Sequence, residues 1–161
     1  MSKSHVYTVN VQFGDCDPAG IVFFPNFSRW MDEASLAFFM ACGVPPWREL
    51  VKTRGIIGTP LLEIHTKFIR PATYGETIHV HTTVEDWAAK TFRHRHVVKR
   101  DGAVLCEGTE VRAFASATPT IRSASRPSQC LKTSCNCAAE RLNPCIPFSL
   151  RFAHFPPETP P

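Results

Sequence analysis

Apolar and polar side chains alternate from His5 to Phe13, placing Tyr7, Val9, Val11 and Phe13 on one face of a half-buried strand. A loop holding two Asp, two Pro and two Gly follows over 14–25. The period then changes. Over 26–42, Phe27, Trp30, Met31, Ala34, Phe38, Ala41 and Cys42 recur at steps of three and four, with Asn26 as N-cap and Gly43 as the stop. Leu36 and Phe39 widen this apolar stripe until it covers most of the helix circumference, so the helix needs a sheet wrapped around it. Pro45-Pro46-Trp47 opens a short second helix ending near Gly55.

Four strand-like segments complete the ordered part, at 61–70, 77–86, 90–100 and 103–115. Pro71 and Gly75 break the first junction, and Asp101-Gly102 marks a hairpin turn. One strand, one long helix and four antiparallel strands predict an α+β domain in which a long central helix is wrapped by a five-stranded antiparallel sheet. The 103–115 strand is expected to be a sheet edge, whose unpaired backbone groups invite pairing with a second copy.

Composition changes the picture mainly at the C-terminal end. Eight of the 14 prolines and four of the seven cysteines fall in 116–161, with no sustained periodicity. We therefore divide the chain into a folded domain at 1–131 and an irregular Pro/Cys-rich tail at 132–161. The charge of +4 suits a small anionic ligand and is too low to argue for nucleic acid. No window nears the roughly 18 apolar residues of a membrane span, and the N-terminus has no apolar signal region. With no export signal, the odd number of cysteines reads as reduced thiols and the expected compartment is the cytoplasm.

The chemistry concentrates in Phe13-Gly14-Asp15-Cys16-Asp17-Pro18-Ala19-Gly20-Ile21-Val22-Phe23-Phe24-Pro25-Asn26. This segment resembles the active-site loop of the 4-hydroxybenzoyl-CoA thioesterase family. The likeness continues through Arg29-Trp30-Met31-Asp32, Cys42-Gly43-Val44-Pro45-Pro46-Trp47-Arg48 and Gly55-Ile56-Ile57-Gly58-Thr59-Pro60, and spans roughly residues 5 to 115. The resemblance implies a hotdog fold, hydrolysis of an acyl-CoA thioester without a cofactor, and active sites shared between subunits of a homodimer or homotetramer.

A thioester needs an attacking group and stabilisation of the oxyanion that develops on its carbonyl. Asp17 offers a carboxylate, as nucleophile or as general base towards water. The helix N-terminus that follows offers free N–H groups and a positive dipole end. By resemblance, the Phe24 amide is the oxyanion donor, Asp15 is structural, and Asp32, Trp47 and Thr59 line an aromatic acyl pocket with Asp32 meeting a polar ring substituent. Plainer readings exist: Asp17 as a turn residue before Pro18, Asp32 as a solvated helix carboxylate near Arg29, Trp47 as core. Cys16 reads as a packing thiol, since no His-bearing dyad is legible beside it.

In the family a basic cluster follows the Trp87 turn and meets the nucleotide phosphates. Here the turn reads Trp87-Ala88-Ala89-Lys90, leaving only Lys90 for that contact. The pairs His79/His81 and His94/His96 bring four imidazoles onto neighbouring strands. A three-residue turn at 87–89 sets Thr82 opposite His94 and Val80 opposite His96, which sends the two pairs to opposite faces, and we assign no metal. The expected function is hydrolysis of an aromatic acyl-CoA of the 4-hydroxybenzoyl type. The alternatives are a thioesterase for other acyl-CoA or acyl carrier protein substrates, and a hotdog protein that binds acyl-CoA without catalysis.

Overall fold

The computed structural model describes residues 3–116; the expected tail at 132–161 lies outside them. The elements are β1 (Ser4–Asn10), α1 (Pro25–Ala41), α2 (Trp47–Arg54), β2 (Ile56–Gly58), β3 (Leu61–Phe68), β4 (Thr77–Trp87), β5 (Thr91–Arg100), β6 (Ala103–Ala113) and β7 (Ala115–Ser116). Five strands form one antiparallel sheet in the order β1-β4-β5-β6-β3, and β2 pairs with β7 beside it. Phe27, Trp30, Met31, Ala34, Phe38 and Phe39 bury the long helix α1 against the sheet, which is the expected hotdog arrangement. No helix among the described residues is long and apolar enough to cross a membrane.

Several boundaries differ from expectation, for local reasons. β1 ends at Asn10, and Phe13 opens a 3-10 turn with its ring 79% exposed, edge-on to Tyr74, instead of continuing the strand face. α1 begins at Pro25, whose missing N–H costs nothing in the first turn, and Asn26 sends its side chain to the Asp15 carbonyl instead of capping the helix. Ala41 faces solvent while Ser35 takes a buried place. β6 is interior, paired on both sides, so the sheet edges are β1 and β3.

The β4–β5 turn covers 88–91, closed by the Ala88 N–H bonding the Thr91 carbonyl, with Trp87 paired to Phe92. A bulge at Glu85 then sets Val84 opposite His94 and Thr82 opposite His96, two residues from the expected register. An even shift preserves which face each residue occupies. His79 and His81 therefore lie on the outer face and His94 and His96 point inward.

Those inward histidines belong to a polar network inside the apolar layer. The Ser35 hydroxyl lies 3.0 Å from His94 Nδ1, and the His94 ring is surrounded by Phe38, Phe39 and Phe92. Thr82 Oγ1 lies 2.9 Å from His96 Nδ1, and His96 Nε2 lies 3.3 Å from Glu110 Oε2. A carboxylate only accepts, so His96 carries its proton on Nε2 towards Glu110. Arg112 Nε donates to the same Glu110 oxygen at 2.8 Å. Burial opposes the Glu110 charge, yet hydrogen bonds from His96 and Arg112 outweigh it and hold the carboxyl at about 2. Burial, then the neighbouring His96, pushes His94 well below the ordinary histidine value and keeps it neutral.

Both shifts have the same consequence with pH. The unfolded chain takes up a proton at His94 below about 6.5, and at Glu110 below about 4.5, where the folded chain does not. Stability is full above 6.5 and falls as pH drops, first through His94 and then through Glu110 between 4.5 and about 2. His81 is lowered as well, by burial and then by Lys99 and His79, and adds to the first phase. Thermal melts from pH 8 to 5 should show the midpoint falling below 6.5, and His94→Gln should flatten that fall. A profile that rises on acidification would contradict the network.

Candidate active site

The loop between β1 and α1 is fixed by Asp15, not Asp17. Asp15 Oδ1 accepts from Arg29 at 2.7 Å and Oδ2 accepts from the Gln12 N–H at 2.9 Å. Its carbonyl accepts from both the Asn26 side chain and the Phe23 N–H. Asp15 is thus fully engaged in holding the loop to the start of α1. A single bridge between Cys16 and Val22 closes the loop, with Gly20 supplying a positive φ of 76° that suits a residue without Cβ.

Asp17 sits on that support. Its Oδ1 accepts from the Ala19 N–H at 2.8 Å, a local turn bond, while Oδ2 has no partner among the described residues. The turn reading and the chemical reading are therefore compatible, one oxygen for each. Phe24, at the N-cap of α1, has an exposed ring that packs edge-on against Phe23 and against Phe68 of β3. Its N–H makes no backbone bond among the described residues, so a free donor stands at the positive end of a 17-residue helix. Cys16 is a free thiol, as are Cys42 and Cys106 among the described residues, and burial pushes Cys106 up to about 12, far from a thiolate at neutral pH.

The residues expected to line an acyl pocket share one cleft. Asp32, Trp47, Ile57, Thr59, Leu61 and Arg112 line one open cleft of about 560 Å³, within the range of small-ligand sites. Trp47 begins α2 and packs edge-on against Phe39 of α1. Asp32 is 68% exposed, and its partner is Arg112 at 2.6 Å, not the neighbouring Arg29, which is taken by Asp15. Asp17 and Phe24 are not part of this cleft. Lys90 lies exposed in the β4–β5 turn, where its carbonyl accepts the Phe114 N–H, and it does not line the cleft.

Sequence reasoning missed Glu110 and Arg112. Their signal was present: two opposite charges at i and i+2 on a strand share one face, and here that face also carries Gly108 and points into the core. His94, His96 and Glu110 approach one another closely enough to suggest a metal site. His94 Nε2 is buried without a hydrogen-bond partner among the described residues, but the other two donors argue otherwise. The Glu110 oxygen that meets His96 is already held by Arg112, both His96 nitrogens have partners, and a cation there would face the Arg112 charge.

Comparison with known proteins supplies the family. Residues 11–159 match the thioesterase-like superfamily. The 4-hydroxybenzoyl-CoA thioesterase of Pseudomonas sp. strain CBS-3 is 42% identical over 120 residues, covering 71% of this chain and 85% of that protein. The crystal structure of a mutant 4-hydroxybenzoyl CoA thioesterase complexed with 4-hydroxybenzoyl CoA superposes with a TM-score of 0.74 at 36% identity, over 83% of this chain and 99% of that one. A gentisyl-coenzyme A thioesterase structure gives a TM-score of 0.65 at 35% identity, over 70% and 89%. The chain therefore belongs to the thioesterase-like superfamily, as a thioester hydrolase of the hotdog fold.

Proposed function

We propose that this enzyme hydrolyses a hydroxyaryl-CoA thioester of the 4-hydroxybenzoyl type to the free acid and CoA. The observation that carries the reading is the cleft. Its walls are Trp47, Ile57 and Leu61, and its polar end is the Asp32 carboxylate, a pattern suited to an aromatic ring bearing a hydroxyl. The relative at 42% identity bears the name of that activity, which supports the same substrate class. Asp17, through its free oxygen, attacks the thioester carbonyl or draws a proton from the attacking water, and the Phe24 N–H at the start of α1 stabilises the oxyanion. CoA leaves as the thiol, and on the route of direct attack water then hydrolyses the acyl–aspartyl anhydride, releasing the acid and restoring the Asp17 carboxylate. Lys90 offers a phosphate contact from the surface of the turn, and a CoA substrate together with free thiols fits a cytoplasmic setting.

We further propose that the working form is a homodimer or homotetramer in which one copy supplies the acyl cleft and another the Asp17 loop. The cleft of one chain includes neither Asp17 nor Phe24, and β3 beside it is an edge strand exposed along nearly its whole length, with Leu62, Ile64 and Phe68 among its exposed apolar residues. An apolar edge of that kind is suited to pairing with a second copy. In sedimentation, the protein should run as a multiple of the 18.0 kDa chain, and Ile64→Lys should lower both association and activity. A stable, fully active monomer would refute the shared site.

Asp17→Asn should lower kcat by ~10²–10⁴-fold with little change in substrate binding, because the amide keeps the shape and loses basicity and charge. Turnover like wild type would move the chemistry away from this loop. Wild type should prefer 4-hydroxybenzoyl-CoA to benzoyl-CoA by about tenfold or more in kcat/KM, since a site built for a hydroxyl leaves its polar groups unpaired against a bare ring. Asp32→Ala should shrink that ratio while hydrolysis itself persists. An unchanged ratio would remove Asp32 from substrate reading.

A further inference from the structure

The polar end of the cleft is a pair of groups, and the second member is Arg112. Its side chain is only 6% exposed, yet it lines the cleft. Nε donates to Glu110 at 2.8 Å, Nη1 to the Thr59 carbonyl at 3.1 Å and Nη2 to Asp32 at 2.6 Å. A guanidinium has five N–H groups, so one on Nη1 and one on Nη2 remain after these bonds. The group cannot swing away. Glu110 behind it is itself held by His96, and His96 by Thr82, all of them buried.

Asp32 only accepts hydrogen bonds and Arg112 only donates them. Held 2.6 Å apart in the lining of a cleft whose other walls include Trp47, Ile57 and Leu61, they complement a group that donates and accepts at the same time. A phenolic hydroxyl does both. We propose that Arg112 is a specificity-determining residue that donates to the ring hydroxyl oxygen while Asp32 accepts its proton, and this rests on reading the cleft as the acyl pocket. The pair discriminates against groups that satisfy one partner alone. An aromatic amine donates to Asp32, but its nitrogen lone pair is delocalised into the ring and accepts poorly. A carboxylate accepts from Arg112 and is repelled by Asp32.

The test is kcat/KM for 4-hydroxybenzoyl-, 4-aminobenzoyl- and benzoyl-CoA. Wild type should favour hydroxy over amino by about tenfold or more, because only the acceptor half of the contact is lost. Arg112→Lys keeps a cation behind Glu110, but its single ammonium cannot span three acceptors and the substrate together, so the hydroxy-to-amino ratio should fall towards one. A merely structural arginine would lower both substrates by the same factor and leave that ratio unchanged, which would overturn the proposal. Should Arg112→Lys fail to fold, the wild-type ratio decides alone. Hydroxy and amino equal, with both well above benzoyl, would leave Asp32 as the reader and exclude Arg112. No preference for hydroxy over benzoyl would instead defeat the acyl-pocket reading beneath it.

Discussion

A carboxylate and a guanidinium two residues apart on β6 stay charged inside this domain only because every neighbour is arranged to hold them. Glu110 and Arg112 face α1 across the sheet, where an unpaired charge would be expensive. His96 and Thr82 satisfy one side, and the Thr59 carbonyl and Asp32 the other. The network thus crosses the core from β4 to the cleft beside Asp32, tying α1, the loop before β3 and three strands to a single geometry. Losing one member of such a pair commonly costs about 3–5 kcal/mol, so these strands and the cleft are fixed together.

The Asp17 loop and the cleft are built differently. The loop is held through backbone and Asp15 contacts, and Asp17 uses one oxygen in a local turn bond. The cleft is rigid through side chains that reach it from within the sheet. Among the described residues, Asp17 and Phe24 do not line the cleft that holds Asp32 and Arg112.

Much of this was legible in the residues. The step of three and four from Phe27 to Phe39 identified the buried helix, and the alternation from Thr77 to Ala113 identified the hairpins, because both patterns report burial directly. The Asp17 loop was legible through its dense local motif. The β4–β5 register was not, because Trp87 pairs with Phe92 instead of opening the turn, and the Glu85 bulge leaves no mark on hydrophobic alternation. Asp32 was assigned to the cleft, but its true partner lies 80 residues away, and no local spacing rule reaches that far. Glu110 and Arg112 went unread because charges on a strand ordinarily signal a solvated face, and here they signal the core.

Gly108 gives the cleft an unexpected point of control. A Cβ there would stand 2.6 Å from Met31 Sδ, closer than any packed atoms allow. Met31 precedes Asp32 on α1, and Gly108 precedes Glu110 on the same inward row of β6. A side chain at position 108 must therefore push aside the flexible Met31 thioether, and so loosen the packing of the residue that precedes Asp32 without itself lining the cleft.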